Sequence, residues 1–529
     1  MELTRLIECL SDPAAYPDPP GAVEVRQTHI SVVFLAGAWV YKVKKPVAPG
    51  FLDFTTLEKR RHFCEEEVRL NRRLAPDVYA GVVPIVRAAV GLRFEGDGEA
   101  VEWAVKMRRL PADATLLEML RRGEVEEPLV RELARRVAAF HGGAEGGDRA
   151  AAFGRFEVVA RNFRDVLDRG SPAAGEAVAR GVLDRVRSLA EETLTRLRPL
   201  IEARASRGVP RDCHGDLHLD HVYHLPDREP PGDLVVIDCI EFNEQFRLMD
   251  PVAEAAFAAM DLAFRGRRDL ARAFADEYFR AGGDDEGRAL LPLYAGYRAA
   301  VRGMVDGLLR GEQEVPAGER AAALARARGH WLLALAELET PERRPCLVLV
   351  AGLPGTGKST LARSLGETAG FAVLRSDVVR KELAGMPDDQ PAPAPLRESL
   401  YSPESTDRVY AELVRRAEEG LTRGERILVD ANLREDRRRV EFVRLALRCG
   451  VPVAVLVCEA SPETVRSRLA ARRGDASDAD WGVYQRVAAE WEEPGAEAGR
   501  VMHRVPTDGP PDDAIARARD ALAAAELLG

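Results

Sequence analysis

Lysine is scarce in this sequence: of 76 basic residues only seven are Lys, at 42, 44, 45, 59, 106, 358 and 381. In a chain that defaults to Arg, each Lys marks a place where a compact ammonium was kept over a planar guanidinium. Cysteine is equally uninformative as a framework. The seven Cys are odd in number and scattered with no C-x-x-C pair, which excludes a disulfide scaffold and points to reduced thiols. No apolar run reaches membrane-spanning length, and Met1 to Gly21 carries acids and prolines without a signal-peptide core. A cytoplasmic protein with no membrane partner is expected. A basic excess is missing too. The net charge is −10, which argues against nucleic acid as the main partner while leaving a local basic groove open.

Against this background Lys358 stands in Gly352-Leu353-Pro354-Gly355-Thr356-Gly357-Lys358-Ser359-Thr360, a match to G-x-x-x-x-G-K-[ST]. The apolar run Cys346 to Ala351 precedes it, as a strand buried on both faces would, and a helical pattern follows from Leu361. Successive backbone N–H groups in such a loop wrap a phosphate chain at a helix N-terminus. Gly352, Gly355, Thr356, Gly357, Lys358, Ser359 and Thr360 are therefore expected to bind ATP, with Lys358 at the β/γ-phosphates and the Ser359 hydroxyl on Mg²⁺.

After the linker-like Thr340 to Pro345, strands and helices alternate, which predicts a doubly wound parallel sheet with ligands at the strand C-termini. A strand over 371–375 ends at Ser376-Asp377. Another over 426–430 ends at Asp430, the setting of a Walker B carboxylate that holds Mg²⁺. A helix over 462–473 carries Arg468 and Arg472 one turn apart, before the helix-breaking Gly474 to Asp478. Arg380-Lys381 offers cations to an anionic acceptor.

The first half begins with strand, turn, strand over Val23 to Lys45, placing Val40, Lys42 and Lys44 on one face. A helix over Leu57 to Leu74 puts Glu67 on an apolar stripe with Phe63, Leu70 and Leu74. A carboxylate there needs a partner, and Lys42 is the candidate, the alternative being a solvated edge position. A strand over 101–107 ends at Met107, and helices follow over 113–122, 127–141, 155–168 and 173–206. The second dense stretch is Asp212-Cys213-His214-Gly215-Asp216-Leu217-His218-Leu219-Asp220-His221, followed by a strand 234–238 ending at Asp238. Its H-x₃-H-x₂-H-x₂-H spacing fits no closed tetrahedral zinc framework. Two carboxylates, one at the substrate hydroxyl and one after a strand on Mg²⁺, fit a kinase-type catalytic loop instead.

His-Gly-Asp-Leu-His at 214–218, the strand ending Ile237-Asp238, Lys42 and Glu67 together resemble the aminoglycoside phosphotransferase-like kinase family, which has the protein-kinase fold. Thr28 to Ser31, Tyr41 to Pro46, Phe51 to Phe54 and Asp238 to Asn243 resemble a bacterial branch in which that domain is fused to a P-loop kinase of zeta-toxin-like type. The resemblance implies an α/β multidomain chain. Residues 1–340 would be a bilobal protein-kinase-like α+β domain (N-lobe about 1–107, helical C-lobe about 108–340), and 341–529 the P-loop domain. It implies Lys42, Glu67 and Met107 at a nucleotide, Asp216 as catalytic acid or base, and Asp238 and His221 on metal. His221 stands where the family has Asn, and imidazole suits Mg²⁺ less well than an amide oxygen. No glycine-rich loop joins the first strands, where Thr28 to Ser31 offers hydroxyls instead. In the P-loop half the resemblance makes Asp377 the base at the acceptor hydroxyl and Arg468 and Arg472 a lid over the transferring phosphoryl. Acids in the helices between 250 and 338 would bind cationic amino sugars in the family, or be solvated helix faces.

An ATP- and Mg²⁺-dependent phosphotransferase acting on a small-molecule hydroxyl follows. The alternatives are a pseudokinase-like ligand sensor controlling a P-loop ATPase, motivated by His221, and a polynucleotide 5′-hydroxyl kinase.

Overall fold

The computed structural model describes residues 2–48, 50, 52–88, 91–311, 315–387, 399–471 and 480–529. Arg472, Phe51, most of the Pro-rich stretch 386–395 and the break at 474–478 lie outside them. The chain forms two compact units: Met1–Ala160, Leu197–Leu262 and Asp269–Tyr294 in the first, and Arg161–Arg196, Ala263–Arg268 and Ala295–Gly529 in the second.

The first unit is built on a six-stranded antiparallel sheet. Its strands are β1 (Val23–Gln27), β2 (Ser31–Ala36), β3 (Trp39–Lys44), β4 (Tyr79–Arg87), β5 (Leu92–Phe94) and β6 (Ala100–Arg108), in the order β1-β2-β3-β6-β4-β5. The β2–β3 hairpin closes with Ala36 opposite Trp39, so Gly37 and Ala38 make a two-residue turn and Gly37 takes φ +62°. That register fixes which face every β3 side chain uses, and it sends Lys42 and Lys44 the same way. The helix Leu57–Asn71, capped by the Thr56 hydroxyl, buries Cys64, Glu67, Val68 and Leu70.

Short paired strands follow: β7 (Arg211–Asp212), β8 (Val222–His224), β9 (Leu234–Val236) and β10 (Leu248–Met249), with β7 on β10 and β8 on β9. The expected strand 234–238 therefore ends two residues early. Asp238 lies beyond it with φ +65°, a left-handed conformation that a short polar side chain tolerates. The helix expected from 173 begins at Arg180.

The second unit holds a parallel sheet of β11 (Cys346–Gly352), β12 (Ala372–Arg375), β13 (Arg426–Asp430), β14 (Val453–Glu459) and β15 (Met502–Pro506), in the order β12-β13-β11-β14-β15. All seven residues of β11 are buried, which accounts for the unbroken apolar run in the sequence. Leu361, Ala362 and Leu365 of helix Lys358–Ala369 pack on the same core as Val348, Val350 and Leu456. Asp377 is the second residue of helix Ser376–Leu383, which starts directly after β12. No helix among the described residues is long and apolar enough to cross a membrane.

Candidate active sites

Strand β11 delivers the chain into the P-loop, and geometry there requires glycine. Gly352, Gly355 and Gly357 have φ of +136°, +80° and +92°. A Cβ at Gly352 would stand 2.5 Å from the Cys458 carbonyl oxygen, and one at Gly355 2.9 Å from Val465 Cγ1. Lys358 Nζ donates to the Leu353 carbonyl at 2.8 Å, as does the buried Thr356 hydroxyl at 2.8 Å. Thr507, at the end of β15, holds the loop from the other side. Its Oγ1 lies 2.7 Å from the Thr356 carbonyl, and its own carbonyl accepts from Arg468 Nη2 at 2.6 Å. Ser359 lines a cavity of about 290 Å³ with Arg363 and Arg375, and Thr360 is exposed.

In β13, Asp430 pairs with Val350 on one side and Arg375 on the other, so it closes the sheet immediately beside the loop. It is buried, with Arg375 Nε 3.3 Å from its Oδ2. Burial and the neighbouring Asp430 charge push the Asp377 carboxyl above its ordinary range, against the pull of Arg380, Lys358 and Arg375. Two carboxylates and the P-loop lysine thus share one electrostatic environment at the strand ends. Three positive-φ glycines, an ammonium, a hydroxyl and a buried carboxylate fit a nucleoside triphosphate with a divalent metal, which the Ser359 hydroxyl and the Asp430 carboxylate are the residues present to hold.

In the first unit Lys42 Nζ lies 2.6 Å from Asp238 Oδ1 and 2.9 Å from Glu67 Oε1. Lys44 Nζ takes Glu67 Oε2 at 2.8 Å and also pairs with Glu241. Glu67 is therefore fully buried between two lysines and is not a solvated edge residue. Burial opposes its ionisation, but Lys42 and Lys44 prevail and hold its pKa down. Burial likewise opposes the charge on Lys42, and Asp238 and Glu67 raise its pKa well above normal. Asp238, desolvated but facing Lys42 and His221, is lowered. Glu241 goes the other way, raised by burial despite Lys44. Met107 is half-buried on β6, opposite Val40 of β3 and Tyr79 of β4.

The loop between β7 and β8 is pinned from beneath by helix Pro251–Phe264. Glu254, fully buried, accepts from His214 N at 2.8 Å and from Gly215 N, and pairs with His141 Nε2 at 2.8 Å. Burial opposes its charge, yet those hydrogen bonds hold its pKa at about 2. Asp261 Oδ2 accepts from Leu219 N at 3.0 Å. Asp250 pairs with the buried Arg204 at 2.7 Å. Of the two readings of these acids, the solvated helix face fails for these three, which are buried and bonded within the fold. His214 is pushed down to about 4 by burial, and burial with the adjacent His218 lowers His221. Asp216 Oδ2 lies 3.6 Å from His218 Nε2 and 3.5 Å from His221 Nδ1, and His221 Nε2 lies 3.6 Å from Asp238 Oδ2.

Over 499 residues the chain is 33% identical to uncharacterized protein Rv2004c of Mycobacterium tuberculosis (strain ATCC 25618 / H37Rv), with 94% of each chain covered. The same values hold for uncharacterized protein Mb2027c of Mycobacterium bovis (strain ATCC BAA-935 / AF2122/97). The chain belongs to the family of these mycobacterial proteins. Within it, residues 347–494 match a family model described as an AAA domain, which identifies the second half as a P-loop domain. Among solved structures, a gluconokinase from Sinorhizobium meliloti 1021 covers 34% of this chain and 94% of its own at 19% identity and a TM-score of 0.26. The amicoumacin kinase hAmiN, solved with AMP-PNP, Ca²⁺ and Ami, covers 63% and 93% at 11% identity and a TM-score of 0.39.

Lys358, Asp377 and Asp430 lie near one another in the second unit, and Lys42, Glu67, Asp216, His221 and Asp238 in the first. Arg468 reaches the P-loop flank through Thr507, while Arg472 is outside the described residues. Lys44, Glu241, Glu254 and Thr507 were not anticipated as site residues. Lysine scarcity was the available signal for Lys44, since it flagged every ammonium in the chain.

Proposed function

We propose that this protein is an ATP-dependent phosphotransferase whose P-loop domain, residues 341–529, moves the γ-phosphoryl of ATP to a hydroxyl of a small molecule. Asp377 beside Asp430 carries the proposal. A carboxylate whose pKa is raised by burial and by a second carboxylate is a better proton acceptor than a solvated one. Asp377 takes the proton of the acceptor hydroxyl as its oxygen attacks. Lys358 and the P-loop N–H groups bind and orient the phosphates, and Arg468 adds positive charge from the flank. Ser359 and Asp430 hold Mg²⁺, which when bound neutralises phosphate charge. Arg380 and Lys381, three and four residues beyond Asp377 on the same helix, would offer positive charge to an anionic acceptor.

Residues 1–340 are proposed as a second, kinase-like nucleotide domain using Lys42, Glu67, Asp216 and Asp238. A screen of γ-labelled ATP against sugars, amino sugars, nucleosides and 5′-hydroxyl oligonucleotides tests the proposal. Label transfer to a small molecule supports it. Hydrolysis without transfer to any acceptor contradicts it, and transfer to oligonucleotides alone replaces the acceptor class.

A further inference from the structure

A cavity of about 740 Å³ in the first unit is lined by residues from stretches far apart in sequence. Arg72, Asp77 and Tyr79 come from the segment that follows helix Leu57–Asn71, Trp39 and Arg108 from opposed positions on β3 and β6, and Arg228 and Glu229 from the turn between β8 and β9. Lys42, Asp216, His221 and Asp238 are not among its lining residues. Three guanidiniums thus line one space, and among the described residues none of the three meets a carboxylate. By contrast Arg60 meets Glu102 at 2.7 Å and Arg204 meets Asp250 at 2.7 Å in the same unit. From this set we propose that the cavity binds a phosphate monoester of a polyhydroxyl small molecule, the chemistry shared by sugar phosphates and nucleoside monophosphates.

Each guanidinium is held by something other than a counter-ion. Arg72 donates from Nε to the Tyr79 carbonyl at 2.9 Å and from Nη2 to the Ala80 carbonyl at 2.6 Å, which fixes the plane of the fork and leaves Nη1 over. Arg108 lies on the Trp39 ring, its guanidinium carbon 5.4 Å from the centroid. Arg228 is half-buried in a turn that Gly232 N closes on the Glu229 carbonyl at 2.8 Å. Planar N–H forks fixed in this way match the oxygens of a phosphate. Asp77 and Glu229 line the same cavity without pairing to the arginines. Carboxylates accept from hydroxyls and repel a bare anion, so they favour a ligand that carries hydroxyls beside its phosphate. The volume is that of a small-molecule site. Tyr79 ties the cavity to the rest of the unit, because its hydroxyl accepts from Asp238 N at 3.2 Å.

The experiment titrates the full chain with ribose 5-phosphate by calorimetry, without ATP or metal, and uses inorganic phosphate and AMP as comparison probes. The expected result is one ribose 5-phosphate site per chain, about tenfold tighter than inorganic phosphate. Arg228→Gln and Arg108→Gln should each weaken it about tenfold, the loss of a charge-assisted hydrogen bond, with circular dichroism unchanged. Lys42→Met and Lys358→Ala should leave it intact, which separates this site from the two nucleotide sites proposed above. AMP that displaces ribose 5-phosphate assigns the cavity to nucleoside monophosphates, and AMP that does not assigns it to sugar phosphates; both uphold the site. Absence of binding by either monoester at millimolar concentration would overturn the proposal. So would equal affinity for inorganic phosphate, or binding that survives both arginine changes and is lost in Lys358→Ala.

Discussion

Lys44 Nζ lies 2.8 Å from Glu67 Oε2, and both side chains are fully buried. Lys42 holds the opposite oxygen of the same carboxylate at 2.9 Å. Lys42, proposed to meet a nucleotide, is thus braced through Glu67 by a second lysine that no solvent reaches. Removing Lys44 leaves Glu67 and Glu241 buried without their shared cation. Lys44→Met should therefore destabilise the first unit by about 3–5 kcal/mol, read as a lowered urea midpoint. Lys42→Met should cost less, because its partner Asp238 is 44% exposed and can rehydrate. Equal losses from both substitutions would contradict this.

Acid should loosen the first unit in two successive windows. The folded pKa of His214 is depressed to about 4 from 6.5, so the stability it contributes is complete above pH 6.5 and is lost as pH falls toward 4. Glu254 is depressed to about 2 from 4.5, so its contribution is lost as pH falls from 4.5 toward 2. Each contributes up to about 3 kcal/mol. Denaturant melts from pH 7.5 to 3 should show stability falling already between pH 6.5 and 4.5. His214→Gln should make that upper window shallower without touching the lower one, leaving the part that the likewise depressed His221 contributes.

Asp377 has the opposite sign. Its folded pKa is raised, so the ionised side chain opposes folding at neutral pH, with the penalty absent at pH values below the ordinary carboxylate range. Asp377→Asn should raise the thermal midpoint at pH 7 while lowering kcat about 10²–10⁴-fold. The wild-type acid limb of kcat should lie above the ordinary Asp range near 4. A limb at or below 4 would remove Asp377 from the role of base.

Thr507 tests the flank of the P-loop. Its hydroxyl contacts the Thr356 carbonyl and its carbonyl anchors Arg468. Thr507→Val removes the first contact and keeps the second. ATP KM should rise about threefold to tenfold, the loss of one hydrogen bond of roughly 1 kcal/mol, with kcat little changed. A kcat effect without a KM effect would place Thr507 in the chemical step instead.

The two halves differed in how much their sequences disclosed. The P-loop and the strand before it were legible because the chemistry forces adjacent residues: φ-positive glycines, one lysine and a doubly buried strand. Asp430 was legible from the apolar run that ends in it. The other half assembles from residues up to 197 positions apart, such as Lys44 and Glu241, and no local pattern announces such a pair. Glu67 on an apolar stripe did announce that a cation was needed, and alternation on β3 put Lys42 and Lys44 on the correct face. What alternation left open was that both would be used. Glu254 and Asp261 are the two charged residues of an otherwise apolar helix, and nothing local says which loop amides they will meet. Asp238 meets Lys42 and His221 from a left-handed turn, which the sequence pattern does not encode.

Phosphoryl transfer is proposed to belong to the P-loop domain. The measurement that bears on it most directly is label transfer from γ-labelled ATP to whichever acceptor the screen identifies, compared across wild type, Lys358→Ala, Asp377→Asn and Asp216→Ala. Transfer lost in Lys358→Ala and Asp377→Asn but retained in Asp216→Ala is the predicted result. Transfer retained in Lys358→Ala and lost in Asp216→Ala would contradict the account and move the reaction to the other half of the chain.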